Sequence, residues 1–123
     1  MFKILPDIKR VVIICGRCDL RRGIDGLAAI VRLHYDLNPL EKGSLFLFCG
    51  TKRDRIKGLM FDGRGFCLLY IRLSDGVFQW PRNSDEACDI SEEQYMRFME
   101  GFTLEGSIRE YPKTHKKIDK NSA

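Results

Sequence analysis

Lysine and arginine side chains cluster in three short segments between residues 17 and 64. A planar arginine fork can donate two parallel hydrogen bonds to a phosphate, and lysine supplies a compact charge. The cations of these segments are Arg17, Arg21, Arg22, Lys52, Arg53, Arg55, Lys57 and Arg64. Such residues hold nucleic-acid backbones, but they are equally typical of solvated turns that keep a sheet soluble. Residue chemistry alone leaves these two interpretations even.

Net charge is distributed unevenly along the sequence. The whole chain carries +4 at pH 7, yet residues 1–72 contain 14 Lys+Arg against 7 Asp+Glu, whereas residues 73–123 contain 7 against 10. A basic surface raises the local concentration of polyanions and speeds encounter with them. The charge pattern therefore favours DNA as a partner, held mainly through its phosphate backbone.

Cysteines form one close pair, the CGRC motif from Cys15 to Cys18. A structural zinc site needs about four ligands, and the sequence has no second Cys or His pair at comparable spacing. A thioredoxin-like redox motif belongs to a βαβ unit, whereas the strand signals here predict antiparallel pairing. We therefore expect no metal, no cofactor and reduced cysteines.

Three aspartates, Asp19, Asp54 and Asp62, fall at the ends of predicted elements. Convergent carboxylates are what a two-metal nuclease requires. Each aspartate also has an ordinary structural role: a helix cap, relief of repulsion within KRDR, and the first residue of an Asp-Gly turn. The sequence lacks a glycine-lysine phosphate loop, a serine nucleophile elbow and HExxH. It therefore predicts a protein that is not an enzyme, with a metal-dependent nuclease as the weakest alternative.

An amphipathic helix must connect the first basic segment to the rest of the chain. Apolar residues recur at three- and four-residue steps from Leu20 to Leu37, which predicts a helix entered near Asp19 and stopped by Asn38-Pro39. Gly23 weakens the first turn, so the well-formed part is expected to begin nearer Ile24.

Strands are predicted from short apolar runs between turn residues. They cover residues 9–15, 44–49, 56–61, 66–73 and 77–80. Asp-Gly turns separate the last three, which predicts a small antiparallel meander. Residues 81–89 are polar and acidic and are expected to form a surface loop. A capping box at Ser91 opens a short C-terminal helix that should end near Gly101. The predicted fold class is therefore α+β.

One domain accounts for a chain of this length. We expect residues 1–106 to fold as one unit and residues 107–123 to form a polar, lysine-containing, flexible tail. No apolar run approaches the roughly 20 residues that cross a bilayer, and the N-terminus lacks signal-peptide features. We therefore expect a cytoplasmic protein, able to associate with the nucleoid, that binds neither a membrane nor a small-molecule substrate.

Three motifs follow one another in order: GRCDLRRGIDGLAAIV, LFLFCGTKRDRIKGLMFDGRGFCLLYIRL and FQWP. Together they resemble the TnpB accessory proteins, the family encoded by the second open reading frame of insertion-sequence-sixty-six (IS66) type bacterial transposons. The resemblance covers roughly Val11 to Leu104. Cys18, Leu20 and Phe61 stand where the family usually has threonine, methionine and tryptophan, and none of these departures removes a charge.

The resemblance implies a non-catalytic accessory protein that is encoded beside a separate transposase and assists transposition of the insertion sequence. The matching motif residues are Asp19, Arg21, Arg22, Gly23, Arg53, Asp54, Arg55, Lys57, Asp62, Gly65, Trp80 and Pro81. Our leading interpretation is that the basic residues contact DNA phosphates. The alternative is a protein-interaction module that binds the transposase through its arginines and exposed aromatic residues such as Trp80, without direct DNA contact.

Overall fold

A computed structural model describes residues 8–81, 86–99 and 113–116 of the 123-residue chain. The strands are β1 (Arg10–Ile14), β2 (Ser44–Cys49), β3 (Arg55–Phe61), β4 (Phe66–Arg72), β5 (Glu86–Ile90) and β6 (Lys113–Lys116). They form one sheet in the order β4-β3-β2-β1-β5-β6. The helices are α1 (Ile24–Ala29) and α2 (Glu92–Met99). The predicted α+β class is confirmed.

Strands β2, β3 and β4 form the predicted antiparallel meander. Strand β1 instead pairs with β2 in parallel, with Val11 opposite Leu45. The expectation of a wholly antiparallel sheet is therefore wrong at its centre. The physical reason is the helix between the two strands, because a chain that crosses over through a helix can re-enter the sheet in its original direction.

The predicted strand at residues 77–80 is also wrong, since this stretch joins no strand among the described residues. It runs over one face of the sheet, and the Phe78 N–H donates to the carbonyl oxygen of Arg53 at 2.7 Å. Trp80 is only 4% exposed, and its indole Nε1–H donates to the Ile14 carbonyl at 3.0 Å. The apolar character of this segment reflects burial over the sheet and not pairing within it.

Strand β5 lies where the sequence predicted an acidic surface loop. It pairs antiparallel with β1, and its Ala87, Cys88 and Ile90 are buried. Asp89 accepts a hydrogen bond from Arg10 Nε at 2.7 Å, so the charge that suggested a loop is neutralised by the neighbouring strand. The loop prediction is therefore wrong for residues 86–89.

Helix α1 is shorter than the predicted range. Its six α-helical residues continue into a π-helical turn, Ile30–His34, and the chain then leaves through Asp36 at φ 55°. Gly23 occupies the N-cap, so the helix does not begin at Asp19. The expected start nearer Ile24 is confirmed, because glycine in the first turn does not favour helix.

The C-terminal helix begins as predicted. The Gln94 N–H donates to Ser91 Oγ at 3.0 Å, and the Ser91 N–H donates to Gln94 Oε1 at 2.8 Å, which is a capping box. Its predicted end at Gly101 lies outside the described residues. Strand β6 pairs antiparallel with β5. It lies within residues 107–123, where the sequence predicted a flexible tail and no strand.

Both faces of the sheet carry an apolar core. On one face Leu27 of α1 and Val31 of the π-helical turn after it, which together we call the α1 segment, pack over side chains of β1, β2 and β3. On the opposite face Phe78 and Trp80 are buried with alternate residues of β1, β2, β3 and β5. None of the helices that the structure describes is long and apolar enough to cross a membrane.

We predict that Trp80→Phe lowers the free energy of unfolding by about 1–3 kcal/mol, because it removes a buried hydrogen bond and leaves a cavity beside β1. Urea denaturation at neutral pH measures the change. Val77→Ala is the matched control in the same segment, since Val77 is exposed, and it should alter stability by less than about 0.5 kcal/mol. Equal effects of the two substitutions would contradict the anchoring role of Trp80.

Candidate nucleic-acid interface

A concave surface of about 620 Å³ lies at the edge of the sheet where β1 and β2 end. Three parts of the chain form its walls: the β1–α1 junction, the β2–β3 turn and the outer face of β3 and β4. Its cationic side chains are Arg21, Lys52, Arg55 and Lys57, and its larger apolar side chains are Leu20, Leu68 and Tyr70. We call the surface formed by these seven residues the basic trough.

Two hydrogen bonds hold the β1–α1 junction against the neighbouring strands. The Cys18 N–H donates to the carbonyl oxygen of Cys49, the last residue of β2, at 2.8 Å. The Lys57 ammonium donates to the carbonyl oxygen of Arg22 at 3.0 Å. The junction and β3 therefore form one continuous surface, although they are more than thirty residues apart in sequence.

Gly50 permits the close approach of the two basic loops. A Cβ atom added at Gly50 would lie 3.1 Å from Leu20 Cδ1, which is tighter than ordinary van der Waals contact. The β2–β3 turn is fixed from its other side as well, because the Leu73 N–H donates to the Asp54 carbonyl oxygen at 2.7 Å. The turn is thus packed between the junction and the segment that follows β4.

Two aspartates pair with cations of the trough. Arg21 Nε lies 3.0 Å from Asp19 Oδ1, and Arg55 Nε lies 2.9 Å from Asp54 Oδ1. The Arg21 guanidinium and backbone N–H lower the pKa of Asp19 to about 2, and the Arg55 guanidinium lowers the pKa of Asp54. Both carboxylates therefore stay ionised at neutral pH. They offset part of the positive charge and limit repulsion between the clustered cations.

The cations that do not pair with Asp19 or Asp54 occupy different surroundings. Lys52 and Arg53 are exposed at the β2–β3 turn and form no ion pair with any residue that the structure describes. Arg17 and Arg22 line a smaller neighbouring cavity of about 180 Å³, which also contains Cys18 and Asp19. The first two basic segments therefore meet on adjoining surfaces at one end of the sheet.

Arg64 lies at the opposite end of the sheet, in the β3–β4 turn. There Asp62 Oδ1 accepts hydrogen bonds from the backbone N–H groups of Arg64 at 2.8 Å and Gly65 at 3.0 Å. Gly63 adopts φ +97°, the left-handed conformation that this turn needs. The Arg64 N–H and guanidinium and the Gly65 N–H lower the pKa of Asp62 to about 2. These motif residues build a turn and lie apart from the trough.

Other motif residues have structural contacts at the trough end. The Pro81 carbonyl oxygen accepts a hydrogen bond from the Gly16 N–H at 2.7 Å. The protein-interaction alternative predicted that Trp80 is an exposed aromatic anchor. Trp80 is buried, so that prediction is wrong. The apolar sequence FQWP did not distinguish a buried tryptophan from an exposed one.

The carboxylates and cysteines do not assemble into a reactive centre in the described part of the chain. Asp62 lies at the far end of the sheet from Asp19 and Asp54, and no three metal-ligating side chains converge among the described residues. Burial raises the pKa of the Cys18 thiol to about 11, which disfavours the reactive thiolate. Cys15 Sγ instead lies 3.5 Å from Cys88 Sγ in the core.

Sequence reasoning missed Tyr70 and Leu68 in the trough. The signal for them was present in the Asp-Gly turn, which sets Phe61 opposite Phe66 and therefore Lys57 opposite Tyr70. Cross-strand partners share one face of a sheet, so this register places Tyr70 beside the basic residues of β3. Counting back from the turn would have added Tyr70 to the candidate residues.

A sequence model of the family described as "IS66 Orf2 like protein" matches residues 9–108. The chain belongs to the IS66 Orf2-like family. It is also similar to two proteins of Sinorhizobium fredii (strain NBRC 101917 / NGR234). "Uncharacterized protein y4hO" is 39% identical over 92 residues, 75% of this chain and 79% of that protein. "Uncharacterized protein y4jC" is 30% identical over 92 residues, 75% of this chain and 78% of that protein. No solved structure matches the chain.

Family membership confirms the resemblance found in the three ordered motifs. The matched range contains β1 to β5, both helices and every residue of the basic trough. The IS66 Orf2-like proteins are accessory proteins of insertion sequences, which supports a role in transposition for this chain.

We predict that Asp62→Asn reduces the pH dependence of stability. The folded pKa of Asp62, about 2, lies below its unfolded value near 3.9, so its ionisation stabilises the fold above about pH 4. That contribution is lost as the pH falls through about 2. The difference in unfolding free energy between the wild type and the variant should therefore shrink on acidification, as measured by urea denaturation at successive pH values.

Arg64→Gln is the control for this experiment, because it leaves the backbone N–H groups that bind Asp62 in place. It should retain most of the pH dependence of the wild type. A constant difference in unfolding free energy between wild type and Asp62→Asn from pH 6 to about pH 2 would contradict the assignment.

Proposed function

We propose that this IS66 Orf2-like protein assists transposition by holding DNA through phosphate contacts at the basic trough. The observation that supports this most strongly is the convergence of cations from distant parts of the sequence around one concave surface. Its four cations outnumber Asp19, the acidic residue that lines the same surface, and a concave surface with net positive charge concentrates field lines and attracts a polyanion. The protein contributes binding and positioning, and the chemistry of strand transfer belongs to the separate transposase of the same element.

The cations are suited to contacts that carry no sequence information. Lys52 and Arg53 lie on an exposed turn that is fixed at its base, so they can reach successive phosphates without reorganising the sheet. Such contacts position a protein on DNA, whereas sequence is read at the base edges. We therefore expect weak sequence preference and binding that weakens steeply with salt, because each phosphate contact releases condensed counterions.

We predict that the double variant Lys52→Gln/Arg53→Gln binds duplex DNA more weakly than the wild type. Fluorescence anisotropy with two unrelated duplexes, titrated between about 50 and 200 mM NaCl, measures affinity and its salt dependence. Affinity should fall for both duplexes alike. The slope of log K against log salt should flatten by about one unit for each phosphate interaction that the substitutions remove.

Lys9→Gln/Arg64→Gln is the matched control, because it removes the same charge from exposed positions at the opposite end of the sheet. It should leave the salt slope close to that of the wild type. Equal reductions of affinity in the two double variants would show that only net charge matters and would contradict a localised interface.

The same variants test the alternative in which the trough binds the transposase and not DNA. In that case the isolated protein shifts no duplex at low salt, and Lys52→Gln/Arg53→Gln abolishes co-purification with the transposase after nuclease treatment. That pair of results would replace DNA with an acidic protein surface as the partner of the trough.

A further inference from the structure

The basic trough contains an aromatic ring, Tyr70, whose flat face is not used by phosphate contacts, although its side chain also hydrogen-bonds with Arg55. Tyr70 is 53% exposed. Among the large apolar side chains that are exposed in the described residues, it is the only aromatic one. Its neighbour on the same face of β4, Leu68, is also exposed, at 37%. Neither side chain is needed to fill the core under α1. The trough therefore presents an apolar, aromatic floor between charged walls.

Cations surround this ring on several sides. The Lys57 ammonium lies 6.0 Å from the centre of the Tyr70 ring, and the two residues are cross-strand partners in β3 and β4. Arg21 and Lys52 approach the trough from the β1–α1 junction and the β2–β3 turn. An aromatic face flanked by cations is the arrangement that binds nucleic acid with exposed bases, because every base has a face that can stack.

Duplex DNA cannot use such a ring without opening. In a base-paired helix the base faces are stacked on one another, and a protein meets only their edges in the grooves. A half-exposed tyrosine on the floor of a trough could then contact only sugars or groove edges. An unpaired nucleotide, in contrast, offers one free face to the ring while its phosphates reach the surrounding cations.

We propose that the basic trough binds an unpaired nucleotide of single-stranded DNA, with the base stacked on Tyr70 and the flanking phosphates held by Arg21, Lys52 and Lys57. This inference rests on the proposed DNA contact and names the form of DNA that the trough takes. The volume of about 620 Å³ falls within the roughly 300–1,000 Å³ of small-ligand sites, so a nucleotide fits. Leu20 and Leu68 supply apolar contacts at the sides of the base.

Three labelled probes separate stacking from phosphate contact: an oligothymidylate of about 15 nucleotides, an abasic sugar-phosphate strand of the same length, and a duplex. Tyr70→Ala in the full chain should weaken oligothymidylate binding roughly five- to hundredfold, measured by fluorescence anisotropy. Binding of the abasic strand and the duplex should change by less than about twofold, as for an ordinary surface substitution. Tyr70→Phe keeps the ring and should bind all three probes like the wild type.

Tyr70→Leu provides the second variant, because it keeps apolar bulk on β4 and removes only the aromatic face. It should weaken oligothymidylate binding as Tyr70→Ala does, while circular dichroism and urea denaturation report an intact fold. Wild-type binding by Tyr70→Leu, or equal weakening of oligothymidylate and abasic-strand binding in Tyr70→Ala, would overturn the stacking proposal.

The two proposals fail in different ways. If Tyr70→Ala leaves oligothymidylate binding unchanged while Lys52→Gln/Arg53→Gln still weakens duplex binding, the nucleotide proposal is wrong and the phosphate interface stands. If the wild type binds none of the three probes at low salt, both proposals are wrong.

Discussion

The parallel pairing of β1 with β2 is the constraint on which the rest of the structure depends. Parallel neighbours end at the same edge of a sheet, so the segment after β1 and the turn after β2 must emerge side by side. The Cys18 N–H bonded to the Cys49 carbonyl oxygen joins the two exits directly. An antiparallel pair would have placed them at opposite ends of the sheet, and their cations would not share a surface.

Crowding of cations at this edge carries an electrostatic cost that the sequence offsets locally. Arg21 and Arg55 each have an aspartate within two residues in sequence, and each pair meets in the fold. The Lys57 ammonium is held by a backbone carbonyl oxygen and so gains a partner while it keeps its charge. The edge therefore retains an excess of positive charge, while three of its cations each have an oxygen acceptor that reduces their mutual repulsion. Asp19 and Asp54 therefore act as structural partners of the neighbouring arginines.

Local signals in the sequence predict the parts of the fold that local chemistry determines. The meander β2-β3-β4, the Asp62 turn and the capping box at Ser91 are all confirmed, because each depends on residues close together in the chain. Long-range effects are not predictable in this way. Nothing in the local sequence indicates that Arg10 neutralises Asp89, so the acidic composition predicts a loop where β5 lies.

The candidate site is likewise predicted in part from local sequence and in part not. Charge alone identifies its cations, but their convergence requires the parallel strand pair, and the strand direction carries Arg64 to the opposite end of the sheet.

Among the described residues one helix, α1, covers this side of the sheet, and its size accounts for the open face of β3 and β4. A helix is about 10 Å wide and neighbouring strands lie about 4.8 Å apart, so one helix shields roughly two strands. The α1 segment covers the central strands, where Phe46 is almost fully buried. Towards β4 the same face turns polar, with Lys57 and Arg72 beside exposed Leu68 and Tyr70. A sheet that continues past its covering helix must either bind a partner or present polar residues to water. Here it presents cations around an aromatic ring, a composition that suits a ligand with both a flat apolar part and negative charge.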